Sequence, residues 1–240
     1  SCWPSAPVVR KGLWLKPEVN MPLPRILEPE LMDTPEDARD YDAMDHAGVN
    51  QRFATDFLAK YPGMGPVLDV GTGTAQIPIE MCRQRPGLKV VALDAASHMI
   101  ALARRNVERS GLGGMIDLTL ANARELPWTD GHFPAVASNS ILHHLADPEA
   151  ALAEMVRVLA PCGCLFLRDL LRPEDNGTVD HLVRTYVGDA NAHQQALFRA
   201  SLHAALTLEE VRGLAVKLGL PPEGASQTSD RHWTWVAFRP

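Results

Sequence analysis

Apolar residues along this chain follow a helical spacing first and then a repeated strand-then-helix rhythm. Behind the acidic first-turn pair Glu36-Asp37, residues Tyr41, Met44, Val49, Phe53, Phe57 and Leu58 recur at roughly helical intervals, and Pro62-Gly63 ends the run. One or two helices are therefore predicted over 35–63. A short apolar run at 66–70 stops at Gly71, and a helix with Pro78 in its first turn follows until Pro86-Gly87. The unit then repeats. A strand over 88–93 reaches Asp94, Ser97 is placed to cap a helix running to Glu108, and Ser110-Gly111 closes it.

Further along, 115–120 alternates in strand fashion and 133–137 is a second short strand. Residues 148–159 form an amphipathic helix stopped by Pro161 and Gly163, and 165–167 make another strand. Helical crossovers between short buried strands specify a mainly parallel sheet covered on both faces. The expectation is an α/β fold: a doubly wound, mainly parallel seven-stranded sheet, with an antiparallel C-terminal hairpin around Asp230-Arg231. The stretch 172–206 interrupts the rhythm with polar residues among helical apolar positions, and is read as a helical insertion, a lid over the active site. Residues 1–34 lack periodicity and are read as a tail, partly disordered; residues 35–240 are one domain.

Composition narrows the function. A formal net charge of -6 gives no basic footprint for nucleic acid, and favours a small-molecule partner. The four cysteines Cys2, Cys82, Cys162 and Cys164 do not make a disulfide framework, so a reducing, cytoplasmic setting is expected. No run approaches a membrane span, and no membrane partner is expected. The C-x-C of Cys162 and Cys164 lacks the spacing and second pair of a structural zinc site, so no metal is expected. Oligomeric state is left open.

Candidate chemistry begins at the first strand's end. Gly71, Gly73 and Ala75 alternate just before a helix, where small residues let backbone approach a ligand and free helix N–H groups meet polar atoms. Position 76 is Gln, so the spacing is not the G-x-G-x-x-G of dinucleotide enzymes, and a bare βα turn is the bland alternative. Asp94 ends the second strand 23 residues after Gly71, where a carboxylate can accept two hydrogen bonds from a ribose diol. A bound nucleoside follows from that pair.

The segments 68–75, Ala92-Leu93-Asp94 with Met99, Asn122-Ala123 before Leu126-Pro127-Trp128, Ile141-Leu142-His143-His144-Leu145 and 159–163 resemble the class I S-adenosylmethionine-dependent methyltransferases. They resemble most the branch containing the ubiquinone and menaquinone biosynthesis methyltransferases. The resemblance implies S-adenosyl-L-methionine as cofactor. It places Gly71, Thr72 and Gly73 along the methionine portion, Asp69 near the amino group through water, and Asp94 on the ribose. Ala95 and Met99 would flank adenine, Asn122 and Ala123 meet its edge, and Asn139 lies near the transfer point with Ser138 and Ser140. Departures are Asn122 where the family often has Asp, Pro134 for Asp, Cys162 for Gly, and Ala75 for a third Gly.

Methyl transfer needs in-line positioning more than acid–base help, so no catalytic residue is assigned outright. His143 and His144 are the candidate bases, with helix-end packing as the alternative. Tyr41, His46, His143, Arg168 and Tyr186 are candidates for contact with a small-molecule acceptor, and solvated helix faces or a structural ion pair are the competing explanations. Two rival functions stay open at this stage: a non-catalytic nucleoside- or partner-binding module, and an NAD-dependent oxidoreductase.

Overall fold

The computed structural model describes residues 22–28, 33–43 and 46–240, with the side chains of Asp37, Asp40, Tyr41 and Ala43 outside that description. Two helices, α1 (Pro35–Ala43) and α2 (Ala47–Lys60), precede the first strand. Then come β1 (Val67–Val70), α3 (Gln76–Gln84), β2 (Val90–Asp94), α4 (Ser97–Ser110), β3 (Ile116–Leu120) and β4 (Phe133–Asn139). A 3-10 turn (Leu142–His144), α5 (Pro148–Val158) and β5 (Leu159–Leu170) follow, then α6 (Asn176–Val187), α7 (Ala192–Ala204), α8 (Leu208–Lys217), β6 (Ala225–Gln227) and β7 (His232–Phe238). The seven strands lie in the order β3-β2-β1-β4-β5-β7-β6, with β7 antiparallel to both neighbours and the others parallel.

Side chains alternate across the sheet, as strand geometry requires. Leu68, Val70, Val136, Leu165 and Leu167 face one layer, where Leu152 and Met155 of α5 and Val211 of α8 cover them. Val67, Ala92, Ala135, Ala137 and Phe166 face the other, beneath Phe53 and Phe57 of α2, Ile79 of α3 and Val107 of α4. The alanines make room for three rings: Phe166 meets Phe53 and Phe57 edge-on at centroid distances of 5.2 and 5.8 Å. Such pairs add about 1 kcal/mol beyond area burial.

Three local expectations change. Pro161 and Gly163 do not end a helix ahead of a new strand; they lie inside β5. Leu159 pairs with Phe133 and Cys164 with Ala135, so 160–163 bulge out, with Cys162 at φ 60°. A Cβ on Gly163 would come within 2.7 Å of the Ala160 carbonyl oxygen, which is why glycine stands there. Ser97 does not cap α4. The carboxylate of Asp33 accepts from the His98 backbone N–H (3.1 Å), a cap delivered from 65 residues away. Residues 22–28, read from sequence as tail, dock on the fold: Ile26 N–H donates to the His203 carbonyl (3.1 Å), and Arg25 donates to the Ala204 and Leu145 carbonyls (2.7 and 2.9 Å). The remainder of the expected tail, 1–21 and 29–32, lies outside the described residues.

The insertion is a helix pair, α6 and α7. Val179, Leu182 and Leu202 close a small core over Leu170, and Leu23 of the docked segment packs against it.

Candidate functional site

Strand order reverses between β1 and β4, since the chain leaves β1 for β2 on one side and returns as β4 on the other. In open α/β sheets the crevice beyond the carboxyl ends of strands at that reversal is where ligands bind. Two chambers open there, of about 530 and 190 Å3, and Gly71 and Asn139 line both.

The turn after β1 is built by backbone. Gly71 and Thr72 N–H groups donate to the Leu93 carbonyl (2.9 and 2.8 Å), and Gly73 N–H donates to Asp94 Oδ2 (2.8 Å). Gly71 (φ 75°), Gly73 (φ 55°) and Ala75 (φ 62°) all occupy the left-handed region. Gly71 is also sterically required, because a Cβ there would sit 2.7 Å from the Ile141 side chain. Ala75 carries the strain a third glycine would avoid, at a cost of about 1 kcal/mol.

Asp94 links turn and strand. Its Oδ1 accepts from Ala96 N–H (2.9 Å) while Oδ2 holds Gly73, and the remaining lone pairs face the larger chamber. Burial pushes its carboxyl up, against the pull of those amides. Asp69, 2% exposed, is raised to about 7 by burial, with the Thr72 hydroxyl pulling the other way and the Asp94 charge adding to the rise. Its Oδ2 and the hydroxyls of Thr72 and Thr74 make no hydrogen bond of full geometry within the protein. Buried polar atoms so weakly met beside one small chamber are costly unless a polar ligand reaches them.

All ten residues the sequence assigns to the cofactor line a chamber. Gly71, Gly73, Asp94, Ala95, Met99, Asn122, Ala123 and Asn139 surround the larger one, and Asp69 and Thr72 face the smaller with Gly71 and Asn139. The Asn122 side-chain oxygen accepts from Arg124 N–H (2.9 Å). The fit to S-adenosylmethionine is good on the protein's own terms: a carboxylate at the ribose position, an apolar-walled slot beside it, and weakly met oxygens where an amino-acid group would lie.

The proposed acceptor contacts are scattered. His46 lines the smaller chamber and His144 the larger. Tyr41 belongs to α1, but its side chain is outside the described residues. His143 is buried: its Nδ1 lies 2.5 Å from Asp169 Oδ1, and that carboxylate also accepts from the Leu142 N–H (2.7 Å), fixing the 3-10 turn. Arg168 lines neither chamber. It pairs with Asp56 (2.7 Å), donates to Thr234 (2.9 Å) and lies over the Phe53 and Phe166 rings. Tyr186 is also remote, donating to Asp230 (2.6 Å) beneath the Arg231 guanidinium.

Sequence reading gave no role at the site to Gln76 or Asn106. Asn106 Nδ2 donates both to Asp42 of α1 (2.9 Å) and to the Thr74 carbonyl (3.1 Å), and Gln76 donates to the same Asp42 oxygen (3.2 Å). These bonds tie α1 to the floor of the smaller chamber. A mid-helix Asn on an otherwise apolar face was the available signal. No helix among the described residues is long and apolar enough to cross a membrane.

Comparison with known proteins agrees with this geometry. Residues 68–167 match the family model described as a methyltransferase domain. The chain is 38% identical over 120 residues to a demethylmenaquinone methyltransferase of Thermus thermophilus, covering 50% of this chain and 53% of that protein. It is 34% identical over 141 residues to the ubiquinone/menaquinone biosynthesis C-methyltransferase UbiE of Desulfotalea psychrophila, covering 57% and 56%. It thus spans about half the length of the curated relatives it matches. Its fold is similar to a SAM-dependent methyltransferase from Aquifex aeolicus, with a TM-score of 0.64 at 18% identity, over 86% of this chain and 99% of that one. Gly71, Gly73, Asp94 and Asn122 converge on one crevice, and residues 68–167, which carry all four, match a methyltransferase domain.

Proposed function

We propose that the protein transfers a methyl group from S-adenosylmethionine to a small-molecule acceptor, with the reacting centre at the junction of the two chambers. The observation that carries this reading is the sharing of Gly71 and Asn139 by both chambers. A ligand with a nucleoside at one end and an amino acid at the other fits such a pair, with its middle at those residues.

The bound sulfonium supplies an already activated methyl electrophile. The chain's own groups hold and orient. Asp94 accepts from the ribose hydroxyls, Ala95 and Met99 give apolar surface to the base, and Asn122 offers its amide edge. Asp69, as the carboxylate, accepts from the ammonium, with the Thr72 and Thr74 hydroxyls beside it. Neither junction residue titrates, so positioning and the exclusion of water are what the protein contributes at the point of transfer. His144, on the larger chamber's wall, is the imidazole placed to act as base, and does so only for an acceptor that must lose a proton.

The two relatives' names point to quinone precursors as the acceptor class. That reading draws support from the shared domain alone, because α1 and α2, which contribute Asp42, Ala47 and Asn50 to the smaller chamber, lie outside 68–167.

Calorimetry with S-adenosylhomocysteine tests the cofactor half: saturable one-site binding is expected, and its absence refutes the proposal. Methyl transfer from labelled cofactor across a panel of phenols, quinols and amines tests the acceptor. Labelled product from a small molecule supports it. Cofactor binding with no turnover of any panel member favours a non-catalytic nucleoside-binding module.

A further inference from the structure

We propose that Glu28, His143 and His144 form a binding site for a borderline divalent transition ion such as Zn2+, which clasps the docked segment 22–28 to the turn after β4. One ligand atom from each residue lies within 4.8 Å of the other two. The cofactor contacts above use none of these residues, and a metal-bound His144 would not serve as a base.

Three donor atoms converge on one buried point. His143 Nδ1 lies 2.5 Å from Asp169 Oδ1, with its Nε2 turned toward Glu28 Oε1, 3.5 Å away. His143 is 4% and Glu28 8% exposed there. His144 Nδ1 comes within 2.9 Å of the same Glu28 oxygen, without hydrogen-bond geometry. A metal ion between the three atoms would be met by all of them.

Metal chemistry also accounts for the distances. Zinc bonds of about 2.0–2.2 Å in tetrahedral geometry place ligand atoms about 3.3 Å apart, and the separations of 2.9 and 3.5 Å fall on either side of that. Two imidazoles and a carboxylate are the three-ligand set of open zinc sites, with a fourth position free. Asp169 supplies the outer support such sites need: it accepts the far N–H of His143, which fixes the tautomer and turns Nε2 inward. Ser201 steadies Glu28 in the same way, at 3.1 Å. Glu28 and Asp169 bring two carboxylates to the site, beside the Arg25 guanidinium.

The consequence is local. Glu28 belongs to the docked segment, and His144 lines the larger chamber, so the ion would join the segment to the chamber wall.

The test is titration of the chelator-stripped chain with Zn2+ alone, followed by calorimetry, with Co2+ absorption as an independent readout. One equivalent is expected to bind. Glu28→Gln and His144→Asn are expected to weaken it at least tenfold each, Asp169→Asn about 10–100-fold, and Cys162→Ser not at all. Bound Co2+ is expected to show ligand-field bands without a thiolate charge-transfer band. Zn2+ is also expected to slow tryptic cleavage after Arg25. The proposal is overturned if the stripped chain takes up no Zn2+, if affinity is unchanged in both Glu28→Gln and His144→Asn, or if the Co2+ spectrum shows thiolate ligation. The Co2+ readout on the unmodified chain stands whether or not any variant folds.

Discussion

The rim of β1–β3 and the cover formed by 22–28, α1 and α2 are built on different principles. At the rim, binding geometry is set by backbone: the Leu93 carbonyl holds two consecutive amides, and Asp94 bridges Gly73 and Ala96. The cover is held by side chains crossing long sequence distances, Asp42 to Asn106 and Gln76, Asp33 to His98, and Arg25 to carbonyls of the 3-10 turn and α7. A backbone turn cannot shift without disturbing the sheet. Each side-chain link is worth only about 1 kcal/mol net and can break singly. The contrast sets a floor held by backbone under a cover held by separable side-chain links.

The largest expected effect strikes the floor. Asp94→Ala removes the proposed ribose acceptor and releases the Gly73 and Ala96 amides at once, so S-adenosylhomocysteine affinity by calorimetry should fall about 100-fold or more. A loss under tenfold would show that the turn does not depend on its bridge.

Next comes Asp69, whose carboxyl is raised to about 7 by burial. A carboxyl whose folded value exceeds its unfolded one stabilises the fold at low pH and loses that contribution as pH rises toward 7. In the cofactor-free protein Asp69→Asn should therefore raise stability at pH 8, by up to a few kcal/mol in denaturant unfolding. The carboxylate form is the one that accepts an ammonium, so cofactor affinity should climb roughly tenfold from pH 6 to pH 8 and then level. Asp69→Asn should flatten that profile.

Asp42→Ala acts on the cover alone. Breaking the bonds to Asn106 and Gln76 should speed cofactor release a few-fold in stopped-flow displacement, about 1 kcal/mol, with little change in thermal stability. If release were unaffected, α1 would not gate the smaller chamber. The smallest effect belongs to Ala75→Gly, where relief of left-handed strain offsets loss of a buried methyl, and the unfolding midpoint should move by less than about 0.5 kcal/mol.

The same division explains what the sequence revealed. Strand and helix order, Gly71, Gly73, Asp94 and Asn122 were legible because each signal is local: an apolar run, a small residue at a strand end, an acid at the next. The N-cap of α4 was not, since Asp33 reaches it from another element. Arg168 looked like a rim residue by its place on β5, but Asp56 and Thr234, distant in sequence, occupy its guanidinium. Pro161 and Gly163 read as terminators because each usually is one, and a bulge inside a strand uses the same residues for the opposite purpose. Glu28 lay in a stretch without periodicity, and only its docking brings it to His143 and His144.

The central place of β1 bears on how the chain reaches this structure. Its four residues are all buried, and its two partners are made at different times: Val67 pairs with Val90 of β2 and with Ala135 of β4. At ribosomal rates of about 5–20 residues per second, the β4 side of β1 stays unpaired for seconds after β2 has emerged. Throughout that interval one edge of β1 has its backbone groups unpaired, so the nascent β1–β2 unit is the point where chaperone capture or mispairing competes with folding.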